Sequence, residues 1–142
     1  MLLLFSCLLT SCSTITEFIV VNHSNDPVEI SYSLKECTDD FQFPGRLTSE
    51  EFEENREWNF LDVVDSAFDS RSCSFSIELK ANEVLLVERV MNYSSESEKG
   101  QSERFNLKSI NVDGKKGRIS LEGTQVEAHF VNDSGKYLMI YK

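Results

Sequence analysis

The sequence predicts a mainly β protein, an antiparallel β-sandwich or barrel of about seven strands with one short helix in an acidic insert. Three observations carry this expectation. First, Val28, Ile30, Tyr32 and Leu34 alternate with Glu29, Ser31, Ser33 and Lys35, and Cys73, Phe75, Ile77 and Leu79 alternate as strictly with Ser74, Ser76, Glu78 and Lys80. A period of two is the signature of a strand buried on one face. Second, turn residues punctuate the chain at short spacing. Third, no helical periods separate the strand signals, so a sheet must bury its apolar face on another sheet or close on itself.

Phe18-Ile19-Val20-Val21 is a continuous apolar run, as expected of a strand buried on both faces. His23–Pro27 is turn chemistry, because Asn and Asp tolerate left-handed geometry and Pro presets φ. It is expected to join that run to Val28–Leu34 as an opening hairpin. Ala81-Asn82-Glu83 turns the chain into the apolar strand Val84–Met91, and Ser94–Glu103 reads as a polar loop. Phe105 and Leu107 share one phase while Ile110 and Val112 share the other, which places a bulge near Ser109. Asp113-Gly114 and Gly117 mark a tight turn before the short strand Arg118–Leu121. Val126, Ala128 and Phe130 alternate and read as a further strand; Asn132-Asp133-Ser134-Gly135 then turns into the last, Tyr137–Tyr141.

At 142 residues, with 40% hydrophobic and 27% charged residues, the composition is that of one folded domain, placed at 17–142. The formal charge of −10 repels phosphate backbones, which excludes nucleic acid as a partner. It also excludes electrostatic docking on anionic lipid, which needs clustered Lys and Arg.

The amino terminus offers a different route to a membrane. Met1–Leu9 is apolar except for Ser6, too short to span a bilayer and of the length of a secretory apolar region. It ends in Leu9-Thr10-Ser11-Cys12, which resembles the lipobox of bacterial lipoproteins: an aliphatic residue, two small residues, then cysteine. The resemblance implies that 1–11 is a signal peptide, that Cys12 is lipidated, and that 12–16 is a tether. Several acyl chains on one residue anchor stably. No Lys or Arg precedes the apolar run, which points to a start codon further upstream. Ser13 after the anchor resembles the pattern of outer-membrane sorting. The location implied is the bacterial cell envelope, at the outer membrane or its periplasmic face.

With Cys7 removed and Cys12 acylated, Cys37 and Cys73 remain. An exported compartment favours a structural disulfide between them; the alternative is two unpaired buried thiols. The segment 38–72 holds ten of the 24 acidic residues against Arg46, Arg56 and Arg71, a net −7, and six of the fifteen aromatics. Thr48-Ser49-Glu50-Glu51 before Phe52 resembles a helix start, which predicts a short helix over Ser49–Glu57. Phe52, Trp58 and Phe60 are the candidate partner-binding residues there, with carboxylates steering a basic partner. The alternative is a solvated acidic helix whose aromatics pack on the sheet edge.

No catalytic residue stands out. His23 sits in a turn and His129 on the polar phase of its strand, and neither has metal-ligand spacing. Asp39-Asp40 and Asp62, Asp65 and Asp69 supply oxygens without a calcium loop. No metal or cofactor is expected. The N-x-S sequons at Asn22, Asn92 and Asn132 match chance in a Ser-rich chain. The expectation is a non-enzymatic envelope lipoprotein with a structural or protein-recognition role. Its alternatives are a periplasmic inhibitor or adaptor of a basic partner, and a carboxylate-based hydrolase.

Overall fold

Alternation of apolar and polar residues becomes two packed sheets in the computed structural model, which describes residues 14–37, 45–48, 61–62, 67–91, 93 and 105–142. The strands are β1 (Ile15–Asn22), β2 (Val28–Leu34), β3 (Gly45–Thr48), β4 (Leu61–Asp62), β5 (Ala67–Asp69), β6 (Ser74–Leu79), β7 (Glu83–Met91), β8 (Leu107–Gly114), β9 (Gly117–Glu122), β10 (Val131–Asp133) and β11 (Lys136–Tyr141). Among the described residues one helix, α1 (Thr124–His129), lies between β9 and β10. A six-stranded sheet has the order β10-β11-β1-β7-β3-β4, and a five-stranded sheet the order β5-β6-β2-β8-β9. The fold is a sandwich and not a closed barrel. Seven of the expected strands are present; β3, β4 and β5 inside the acidic insert, and the short β10, add to them.

The opening hairpin does not form. β1 pairs with β7 and, in parallel, with β11, while β2 pairs with β6 and β8 in the other sheet. The reason lies in β1 itself, which begins at Ile15, two residues before the expected strand start at Glu17. Its apolar run needs cover on both faces and neighbours on both edges, a central position that a terminal hairpin cannot supply. Phe18 and Val20 enter the core between the sheets; Ile19 and Val21 join Val84 and Leu86 in a second cluster on the outer face. The turn after Leu79 likewise carries the chain from the five-stranded to the six-stranded sheet, with Asn82 at φ 59°.

The expected strand at Val126–Phe130 is helix α1 instead. Val126 and Phe130 are buried while Ala128 and His129 are exposed. A separation of four residues suits one face of a helix as well as one face of a strand, so the alternation was ambiguous. Gly123, at φ 59°, breaks the strand direction after β9. Its N–H donates to the carbonyl of Lys108 at 3.0 Å. Lys108 is the extra residue of the bulge in β8, where Ser33 faces Ser109 but Leu34 faces Leu107. The bulge expected near Ser109 therefore exists one position earlier.

Phe18 gathers the aromatic end of the core. Its ring meets Phe105 at 4.7 Å, Tyr137 at 5.0 Å, Tyr93 at 5.2 Å and Phe130 at 5.4 Å between centroids. Cys37 and Cys73 form a disulfide with Cα atoms 5.7 Å apart. It ties the end of β2 to the start of β6, at the same pole of the sandwich as Ile15.

Candidate functional site

Strand register brings small polar side chains together on the outer face of the five-stranded sheet. Ser76, Ser31, Asn111 and Ser120 form one row across β6, β2, β8 and β9. Asp69, Ser74, Ser33, Ser109 and Glu122 form the next, across all five strands. These side chains are the polar phase of strands whose other phase fills the core. Serine is short, so the floor lies below its longer neighbours and makes an open groove of about 450 Å³. The hydroxyls are linked: Ser33 Oγ and Ser109 Oγ share a hydrogen bond of 2.6 Å, and Ser120 Oγ donates to Asn111 Oδ1 at 2.5 Å.

The rim is acidic. Asp69 and Glu122 close the two ends of the second row, and Glu78, Glu29 and Asp113 stand in the row beside the first. All five are exposed. Among the described residues of these rows the one cation is Arg118, 4.0 Å from Asp113. Ser76 Oγ donates to Glu29 Oε1 at 3.1 Å. Asp69 accepts from Ser72 Oγ at 2.7 Å and from the Arg71 N–H at 3.0 Å. The Ser72 hydroxyl, then the Arg71 N–H, hold its carboxyl below the usual range, so it stays ionised. Such a face offers acceptors and negative charge to a ligand that brings donors and positive charge.

No family model, no curated protein and no solved structure matches the chain. Function is therefore read from the residues of this chain alone.

Cys12, Phe52, Trp58, Phe60 and the helix expected over Ser49–Glu57 lie outside the described residues. His23 and His129 are both exposed. Among the described residues no three His, Cys, Asp or Glu side chains stand close enough to hold a metal ion. Of the sequons, Asn22 is fully buried, Asn132 is exposed, and Asn92 lies outside the described residues.

One titratable group was invisible to the sequence. In β7, Phe18 faces Glu88 while Ile19 faces Leu86, so Val87 is an extra residue. This bulge sends both Val87 and Glu88 toward the interior, where regular alternation would have turned Glu88 outward. Burial raises the Glu88 carboxyl to about 7, against smaller opposing effects of the Arg89 N–H and the Lys35 ammonium. Across the core, the Tyr32 hydroxyl is buried without a hydrogen-bond partner among the described residues. Burial, and secondarily the Glu88 charge, push it well above the ordinary phenol range. Lys35 Nζ donates to the Phe105 carbonyl at 2.5 Å. Tyr93 donates to Glu127 of α1. The Glu88 carboxyl and the Tyr32 hydroxyl lie on the core side of their strands, and Tyr32 also borders the serine groove between Ser31 and Ser33.

Proposed function

We propose that the chain is a non-enzymatic envelope lipoprotein, anchored through lipid on Cys12, that recognises a basic protein partner on its serine-floored sheet. The observation that carries the reading is the pattern across the rows: seven Ser or Asn side chains form the floor, with five exposed carboxylates and one arginine around them. Small hydroxyls let a partner backbone or a Lys or Arg side chain approach closely, while the rim attracts its charge. The anchor rests on the resemblance of Leu9-Thr10-Ser11-Cys12 to a lipobox. An inhibitor or adaptor role fits the same face, since either acts by occupying a partner.

The test compares cells carrying the full chain with cells carrying Ser33→Arg/Ser74→Arg, which places two cations on the floor. After cross-linking and envelope isolation, basic proteins are expected with the wild type and lost with the variant. The same set of partners with both would overturn the reading. Fatty-acid labelling that persists in Cys12→Ala would overturn the anchor.

A further inference from the structure

The two outer faces of the sandwich differ in chemistry. Among the described residues, five large apolar side chains are exposed: Ile15, Phe68, Met91, Val131 and Ile140. Four of them, all but Phe68, lie on the outer face of the six-stranded sheet, opposite the serine floor. Ile15 and Met91 face each other across β1 and β7 at the extreme end of that sheet, and are 61% and 57% exposed. Two residues further along, about 7 Å deeper into the sheet, the row reads Asp133, Lys136, Glu17, Arg89. Arg89 Nε donates to Glu17 Oε1 at 2.9 Å, which neutralises the one carboxylate between the two cations.

We infer that this end of the six-stranded sheet is a lipid-contact surface, with Ile15 and Met91 in the interfacial layer of the bilayer and Arg89 and Lys136 at the level of its phosphates. The inference rests on the lipid anchor proposed above. Ile15 follows Cys12 by three positions, so the chain between them spans at most about 11 Å. An anchored Cys12 therefore holds the Ile15 end against the membrane whatever the tilt of the domain. Apolar side chains backed by a charge-balanced row, with long Arg89 and Lys136 side chains in it, match the order in which an interface presents acyl chains and then zwitterionic headgroups. The acidic serine face, on the other sheet, is left turned to solution for a basic partner.

The test uses the purified lipidated full chain in phosphatidylethanolamine–phosphatidylglycerol vesicles that carry nitroxide lipids. A thiol-reactive fluorophore is placed at Met91→Cys, at Ile15→Cys and, as a distal reference at the opposite pole, at Arg118→Cys. Co-sedimentation with the vesicles reads the anchor, and quenching reads the contact. Co-sedimentation with several-fold stronger quenching at 15 and 91 than at 118 is the expected result. Co-sedimentation with equal quenching at all three sites overturns the contact and leaves the anchor standing. A chain that stays in the supernatant overturns the anchor, and the contact with it.

Discussion

Asn22 Nδ2 donates to the carbonyl of Leu79 at 3.1 Å, joining residues 57 positions apart and belonging to different sheets. The same carboxamide reaches the Lys80 carbonyl at 3.0 Å and the Asp26 carbonyl at 2.9 Å, while its Oδ1 accepts from the Ser24 N–H and hydroxyl. One fully buried side chain thus fastens both connections that cross between the sheets at this pole.

Asn22→Ala would leave these carbonyls and Ser24 buried without their partner. Losing such a set is expected to destabilise the fold by about 3 kcal/mol. The midpoint of urea unfolding should fall accordingly, with an unchanged slope. A shift no larger than that of an exposed control such as Asn132→Ala would contradict the role.

Gly114 ends β8 where Tyr141 of β11 reaches across. A Cβ at this position would stand 2.6 Å from the Tyr141 hydroxyl and 2.8 Å from Val28 Cγ1. Gly114→Ala is therefore expected to cost about 1–3 kcal/mol through overpacking. Part of that loss should be absent in a Tyr141→Phe background, because the hydroxyl is the nearest atom. Fully additive effects in the double-mutant cycle would argue against the contact.

Glu88 gives stability a pH dependence of defined sign. Its folded-state value of about 7 lies above the ordinary 4.5, so the folded protein holds the proton more tightly than the unfolded chain. The group carries no penalty below pH 4.5, and its ionisation increasingly destabilises the fold as pH rises to about 7. The full difference is on the order of 3 kcal/mol. Glu88→Gln should therefore gain on the wild type across this range, as read by thermal unfolding at several pH values. A constant difference between the two proteins would contradict the assignment.

The Cys37–Cys73 bridge closes a loop of 36 residues. In the chain-entropy description its removal costs about 4 kcal/mol. Cys37→Ser/Cys73→Ser should lose this much in urea unfolding, and reductant should bring the wild type to the same midpoint. A reductant-insensitive wild type would contradict the bridge.

The candidate face was half legible in the sequence. Ser31, Ser33, Ser74 and Ser76 stand on the polar phase of their strands by alternation alone. That they adjoin one another, and adjoin Ser109 and Asn111, depends on the pairing of β2 with both β6 and β8. No local pattern states which strands pair. Glu88 was hidden for a related reason: a one-residue bulge reverses the facing of the residues after it, and the apolar run around Val87 has no alternation to reveal it.

Local chemistry in the sequence determined most strands and turns, the bulge in β8 and the acidic character of the chain. These follow from side-chain period, turn residues and composition, which act over a few positions or over the whole. Tertiary structure alone decided that β1 and β2 part into different sheets, that Thr124–His129 coils, that Glu88 turns inward, and that serines from four strands share one floor. Each of these depends on contacts between residues far apart in sequence, where burial on both faces and long-range register outweigh local preference.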